Sequence, residues 1–593
     1  MRQWVDCKVF GLAERQTQCE STEWTAGKSV LRKTRSRIVF VIALFVIAYG
    51  AVVGRMMHLT LTRAPEQQVL ADASGDQPPL AANIRRADIL DREGLLLATS
   101  IKTRSLYADP SKLFDPVEAA RKINKTFPDL AYKDLLQKFQ GKRRFVWLKR
   151  NLTPKQIYAA NQMGIPGVDF LDETRRVYPQ GAAAAHVLGY TDIDHKGLAG
   201  LERGVDKMLY NSDVPLQTTL DMRLQHILQR EIKKSIADFN AIGGAGLIMD
   251  VQNGEIYALA SLPDFNPHNP GSITDAERFN RITLGAYEMG STFKTFTTAA
   301  LLEKTNTPLH AQFDARFPLQ RAGFRINDFH PEARYLSVPE VYIHSSNIGT
   351  ALEAEKIGTN KLKDFFGDIG LLEKPKLEIS EMAQPILPKP WRPISTLTAA
   401  YGHGIAVTPL QLATATASVI NGGFKVKPTL IKHSAQEYQN MSHERVLSEK
   451  TSSTMRGLMR LVVSDGTASK ANASGYRVGG KTGTAEKTLG RGYSKNAQIA
   501  SFVGVFPMDA PRFVVLVMVD EPKGNKKSYG YATAGWVAAP YVGTIIKEIA
   551  PLVGVKPQFD ERLVPFKSAV GLAPTSAQQA KHSMQQGGRL ASY

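Results

Sequence analysis

From Ile38 to Gly54 the chain carries no charged residue. Arg32, Lys33, Arg35 and Arg37 precede this run and Arg55 closes it. With Met56, Met57 and Leu59 extending it while Arg55 snorkels, the segment is long enough for one bilayer crossing, predicted over 38–58. The cations ahead of it place the polar residues 1–37 in the cytoplasm and everything after about residue 60 outside it. A cleaved signal peptide would have a shorter apolar stretch and a small-x-small exit, and a buried soluble helix would not begin among four cations.

Beyond a polar linker from Glu66 to Pro79, the pattern becomes that of folded domains. Arg86 to Ala98 reads as strand, Asp-Arg-Glu-Gly turn and strand. Arg175-Arg176-Val177-Tyr178-Pro179, Gly189-Tyr190-Thr191 and Gly197-Leu198-Ala199-Gly200-Leu201-Glu202 follow, the last a glycine-loosened start to a helix. Nothing in this region forms a catalytic constellation, so it reads as a structural pedestal over 59–215. A composition shift near Pro215 opens a second domain, 216–560. Leu220 to Leu228 has an Asp cap and helical apolar spacing. Ala245 to Val251 and Glu255 to Ala260 flank Gln252-Asn253-Gly254, a hairpin signal. Ala500 to Phe506 and Phe513 to Val519 are two more β-rich runs, and Thr533 to Ala550 reads as a closing helix with Pro540 in its first turn or at a kink. Two strands, many helices and then several strands predict an α+β domain with an antiparallel sheet. The tail 561–593, which has no Asp or Glu from Lys567 on, reads as disordered.

The 593 residues suffice for two or three full cores, and their formal charge is +19. The cations are spread along the chain with no zinc-finger spacing or RNP-like segment, which excludes nucleic acid as the partner and fits an anionic membrane face or acidic polymer nearby. Cys7 and Cys19, the two cysteines, both precede the apolar run, so the rest of the chain needs no disulfide.

Candidate chemistry centres on Glu288-Met289-Gly290-Ser291-Thr292-Phe293-Lys294 and the uncharged run that follows as far as Glu303. A buried helix is predicted from about Ser291, with Ser291 and Lys294 one turn apart on one face. Serine is a poor nucleophile until a base takes its proton, and lysine does so only when desolvation leaves it neutral. Alone, the motif is equally a helix N-cap beside a solvated lysine. Ser345-Ser346-Asn347 comes 54 residues after Ser291; in a bend it offers a hydroxyl to relay a proton and an amide to hold a carbonyl, or it is a plain turn. Gly479-Gly480-Lys481-Thr482-Gly483-Thr484-Ala485, as an edge strand, offers a cation, two hydroxyls and an unobstructed backbone to an extended ligand ending in a carboxylate. Gly475 to Thr482 also spells a phosphate-loop pattern, but no apolar helical face follows it.

Together S-x-x-K, S-x-N and K-T-G resemble the class B penicillin-binding proteins, and among them the division-specific transpeptidases. The resemblance covers most of the chain to about residue 550. It includes Arg86 to Gly94, Tyr401 to Leu412 and Val519-Asp520-Glu521-Pro522; Met289 stands where the family often has Pro. It implies a membrane-anchored protein with an elongated β-rich pedestal and a transpeptidase domain built on a five-stranded antiparallel sheet flanked by helices. It also implies a D,D-transpeptidase acting on peptidoglycan stem peptides ending in D-Ala-D-Ala and acylated by β-lactams. In that reading Ser291 is the nucleophile, Lys294 its base, Ser345 with Lys481 the proton relay, and Asn347 the holder of the donor amide. Thr482, Gly483 and Thr484 bind substrate, with Lys481 and the two threonines on its carboxylate, and the N–H groups of Ser291 and Thr484 form the oxyanion hole. No metal or cofactor is implied. A polytopic SEDS glycosyltransferase of the FtsW type would be the partner, at the septum of the inner membrane with the catalytic domain in the periplasm. The alternatives are an elongation-type relative, a secreted β-lactamase, a β-lactam-sensing receptor and a catalytically silent division scaffold.

Overall fold

The computed structural model describes residues 42–56, 85–141, 143–440, 444–489 and 492–559. The linker 66–79 and the tail 561–593 lie outside them, as do residues 1–37 and parts of the expected span 38–58. Residues 42–56 are helical with apolar side chains exposed, and among the described residues no helix is long and apolar enough to cross a membrane.

The chain forms two compact units. The smaller takes in 106–150 and 154–171. Its helix Pro116–Thr126 starts on Asp115, whose carboxylate accepts the Val117 and Glu118 N–H groups, and Ile123, Leu135 and Phe139 are buried in it.

The larger unit contains the rest of the described pedestal region and the second domain. The expected hairpin is β1 (Ile89–Leu90) paired antiparallel with β2 (Leu96–Ala108), and Asp91 Oδ1 accepts the Glu93 and Leu95 N–H groups across the turn. The quoted pedestal segments meet on one buried carboxylate: Glu202 lies between the Nε atoms of Arg86, at 2.5 Å, and Arg176, at 2.7 Å. A buried charge of either sign is tolerated only when so paired, which accounts for the charged residues in otherwise apolar stretches.

Next come α1 (Met222–Asp238), capped by Asp221, and the hairpin β3 (Gly243–Asp250) and β4 (Ile256–Leu262). The helices α2 (Lys294–Thr305), α3 (Val338–Ile343), α4 (Asn347–Ile357) and α5 (Pro409–Ile420) follow, then β5 (Gly479–Leu489), β6 (Gly492–Phe506), β7 (Phe513–Asp520) and α6 (Ala539–Leu552). The sheet order is β5-β6-β7-β3-β4, antiparallel throughout, with β5 at an edge. Strands β3, β4 and β7 are buried along their whole length, as a sheet covered on both faces requires. On one face α1 sits so close that a Cβ on Gly246 would come within 2.8 Å of Ile232 and Leu228, and α6 packs likewise on Gly504. The closing helix is interrupted at Ala538, and Pro540 lies in the first turn of α6, where its missing N–H breaks no bond. After Gly483 the chain stays extended to Leu489, so the phosphate-loop spelling has no helix to serve.

Candidate active site

Ser291 does not open an α-helix. Residues Gly290–Phe293 form a 3-10 turn, and the α-helix starts at Lys294. The tighter turn still serves the pair, because at three residues per turn side chains i and i+3 eclipse. Gly290 enters the turn at φ +54°, where a Cβ would also lie 2.8 Å from the Thr484 carbonyl oxygen. From the other side, a Cβ on Gly483 would strike the Met289 carbonyl and lie 2.7 Å from Thr292 Cγ2. The edge strand and the serine turn therefore touch backbone to backbone, which places residues 291 and 484 on two facing segments.

Lys294 is 0 % exposed and Lys481 1 %. Lys294 Nζ donates to the Ser345 carbonyl and to Asn347 Oδ1 at 2.7 Å, and lies 3.2 Å from Ser345 Oγ. Lys481 Nζ donates to the same Ser345 Oγ at 2.9 Å. Burial holds the Lys294 amine well below the usual lysine range, and the neighbouring Lys481 charge pushes the same way against the weaker pull of Asp328 and Glu353. Burial lowers Lys481 to about 7. A neutral amine has two N–H donors and one lone pair. With the donors spent on the Ser345 carbonyl and Asn347, the lone pair of Lys294 is left to receive a proton.

Ser345 sits between the two amines because it joins α3 to α4 in the left-handed region, at φ +59°. A non-glycine residue there is strained and persists only where its surroundings hold it. Here they do: Ser346 caps α4 by accepting from Gly349 N at 2.9 Å and donating to Asp328 Oδ2 at 2.7 Å, while Asp328 Oδ1 accepts Ile348 N at 3.0 Å. Asn347 Nδ2 donates to the Asn327 carbonyl at 3.0 Å, which fixes the amide so that its oxygen faces Lys294.

Of the eight residues expected from sequence, Lys294, Ser345, Asn347 and Lys481 form one hydrogen-bonded cluster, while Ser291 lies in the turn whose neighbours Met289 and Thr292 pack against Gly483. The two threonine hydroxyls turn to other partners: Thr482 Oγ1 lies 3.0 Å from Thr467 Oγ1, and Thr484 Oγ1 accepts Ala534 N at 3.1 Å. Each hydroxyl still has capacity for a further bond. The sequence reading missed Asp328, Thr467 and Glu288, whose carboxylate accepts Gly404 N at 3.0 Å and lies 3.2 Å from His403 Nδ1 beside the turn. Glu288 and His403 lie within the stretches 288–294 and 401–412; Asp328 and Thr467 carry no local signal beyond being polar.

Because the atom nearest Gly483 is the backbone carbonyl oxygen of Met289, which cannot turn aside as a side chain can, Gly483→Ala should part strand from turn. A displacement of about 1 Å costs on the order of 10²-fold in a positioned reaction. The expected result is a tenfold to hundredfold fall in the acylation rate of a fluorescent penicillin, with the far-ultraviolet circular dichroism unchanged; an unaltered rate would show that the two segments have room to spare.

The chain is similar to known proteins along most of its length. The penicillin binding protein transpeptidase domain family matches residues 244–546, and the penicillin-binding protein dimerisation domain family matches 81–214. The chain is 39 % identical over 484 residues to the probable peptidoglycan D,D-transpeptidase FtsI of Caulobacter vibrioides, covering 79 % of this chain and 82 % of that one. It is 31 % identical to stage V sporulation protein D of Bacillus subtilis, over 88 % of this chain and 87 % of the relative. It is 28 % identical to the peptidoglycan D,D-transpeptidase FtsI of Escherichia coli, over 80 % and 84 %. The fold is shared with penicillin binding protein 3 of Mycobacterium tuberculosis, solved with aztreonam, at a TM-score of 0.62 and 22 % identity over 80 % of this chain and 97 % of that one. With a dimerisation domain ahead of a transpeptidase domain, and relatives of this identity along most of its length, the chain belongs to the class B penicillin-binding proteins.

Proposed function

We propose that this protein is the D,D-transpeptidase that crosslinks peptidoglycan stem peptides during septal wall synthesis, through an acyl-enzyme on Ser291. The observation that carries the reading is the placement of two fully buried amines on either side of one serine hydroxyl, against a turn bearing a second serine. Ser291 Oγ attacks the carbonyl of the penultimate D-Ala while Lys294 takes its proton. The N–H groups of Ser291 and Thr484 hold the oxyanion, a contribution of about 3 to 4 kcal/mol for each donor. As the C–N bond breaks, Ser345 passes a proton to the departing D-Ala amine and takes one from Lys481, and the proton that Lys294 took from Ser291 then returns through Ser345 Oγ to Lys481, freeing the base. Asn347 orients the donor amide, and Lys481, Thr482 and Thr484 face the terminal carboxylate. An amine of a neighbouring stem then attacks the ester, gives up its proton through the same base, and returns Ser291 to the hydroxyl. A β-lactam acylates the same oxygen.

The apolar run 38–58, with its preceding cations, supports a single anchor in the inner membrane with residues 59–215 as pedestal and 216–560 as the periplasmic catalytic domain. No stretch between anchor and pedestal could hold a glycosyltransferase, so glycan strands would come from a SEDS partner of the FtsW type.

The test is adduct mapping. Full-length protein in detergent is treated with a penicillin, digested and weighed by mass spectrometry; the same protein is given a pentapeptide donor and an amine acceptor. A stable adduct on the peptide containing Ser291, with release of D-Ala and a crosslinked product, is expected. An adduct on another residue, or rapid hydrolysis of the penicillin in place of a stable adduct, would overturn the assignment.

A further inference from the structure

Behind the reacting groups lies a carboxyl that the mechanism above does not use. Glu353, on α4, is 0 % exposed. Its Oε2 accepts Thr298 Oγ1 at 3.0 Å, and its Oε1 has no hydrogen-bond partner among the described residues. Thr298 lies one turn beyond Lys294 on α2, so the acid sits one helical layer beneath the amine. Between the two levels Thr295 Oγ1 and Tyr342 OH meet at 2.9 Å, and Phe293, Phe296, Phe365 and Phe366 bury the surroundings.

A carboxylate with one satisfied oxygen in an apolar core would be held at great cost, whereas a neutral carboxylic acid is tolerable there. Burial accordingly raises the Glu353 carboxyl to about 8, against the opposing Thr298 bond and Lys294. The coupling is mutual, because the Glu353 charge draws the proton affinity of Lys294 upward.

We propose that Glu353 is a positioning residue that sets the base strength of Lys294, stored beneath it as a neutral acid and, once ionised, steadying the ammonium that forms as Lys294 takes the serine proton. This rests on the acyl-transfer reading above and deepens it. In the neutral state the acid leaves Lys294 its free lone pair; in the ionised state it adds a negative charge where positive charge develops. The ionisable groups facing this layer are Lys294 on α2, Tyr342 on α3 and, beyond Lys294, Lys481 on β5 and Asp328 ahead of α4. The packed helix Pro393–Ala399 contributes no titratable side chain, and on the helix Thr359–Asp368 the residues Lys361, Lys363, Asp364 and Asp368 are exposed to solvent.

The experiment compares the second-order rate of acylation by a fluorescent penicillin in full-length wild type and Glu353→Gln, from about pH 6 to about pH 9.5. Taking the ratio of the two rates removes the titration of Lys481, which both proteins share, and leaves the effect of Glu353 on Lys294. The ratio should be level below about pH 7 and climb roughly threefold to tenfold above about pH 8, as the wild-type acid ionises and the amide cannot. A ratio flat across the range overturns the proposal. Should Glu353→Gln fail to fold, Thr298→Val removes the one hydrogen bond that favours the carboxylate, so its acid ionises at higher pH and the ratio of wild-type to Thr298→Val rates must rise above about pH 8; a ratio flat across the range overturns the proposal equally. Loss of labelling in Ser291→Ala at neutral pH tests the underlying reading separately.

Discussion

Lys294→Met lowers acylation by a penicillin about 10³-fold, the middle of the range for loss of a general base, while the protein keeps its fold. Methionine matches the lysine stem in length and apolar character and fills a site that is already fully buried, so the packing of α2 against α4 is preserved. What disappears is the lone pair left over when the two N–H bonds go to the Ser345 carbonyl and Asn347. Lys294→Arg should fare no better, since a guanidinium stays charged and has no lone pair to offer. Wild-type acylation should proceed at neutral pH, because burial and Lys481 hold the amine well below its ordinary value of 10.5, and should fall as acid protonates it. The check is a stopped-flow acylation series from acid to alkaline pH. A wild-type rate that climbs only near pH 10, or a Lys294→Met enzyme within about tenfold of wild type, would remove lysine from the role of base.

Lys481→Met makes the protein more stable at neutral pH and destroys its activity. In the unfolded chain this amine keeps its proton up to 10.5, whereas in the folded protein burial lowers the value to about 7. Between those two pH values the unfolded state binds the extra proton, so wild-type stability rises with pH across that window and is level below about 7. The gap of roughly 3.5 pH units amounts to about 5 kcal/mol working against folding at pH 7. Loss of the bond to Ser345 Oγ returns about 1 to 2 kcal/mol. The variant should therefore gain about 3 kcal/mol in denaturant unfolding at pH 7, and that gain should vanish at about pH 9.5 and reverse by about pH 10.5. An equal gain at neutral and alkaline pH, or none at pH 7, would show that Lys481 is not held in the folded core with a displaced proton affinity. The stability given up at this position is the expected accompaniment of a site that must keep an amine out of water.

Much of the architecture was readable along the chain because it rests on local rules. Gln252-Asn253-Gly254 between two apolar runs produced the β3–β4 hairpin, and the runs at 500–506 and 513–519 became β6 and β7. Asp221 capped its helix, and Pro540 fell in the first turn of α6. Arg86, Arg176 and Glu202 could be quoted as a pedestal pattern, yet their meeting on one buried carboxylate depends on segments about a hundred residues apart. The turn at Ser291 was placed correctly and assigned the wrong helix type: it is a 3-10 turn because Gly290 bends against Thr484 on a strand far along the chain. Glu353 had a faint signal, an acid between Gly349 and Ile357 on a face that is otherwise buried, which helical spacing alone reads as an ordinary solvated position.

The sequence by itself determined the groups available for reaction and their order: a serine and a lysine one turn apart, a serine and asparagine two apart, and a lysine on a glycine-rich strand. These are relations between near neighbours, governed by helical and strand periods. Only the tertiary structure decided that two amines converge on Ser345 Oγ, that Asp328, through Ser346 and Ile348, fixes the strained bend carrying that serine, and that an acid with one oxygen unpartnered among the described residues lies beneath Lys294. The physical reason is that proton affinity depends on how much water and charge surround a group, and that is settled by the packing of distant segments.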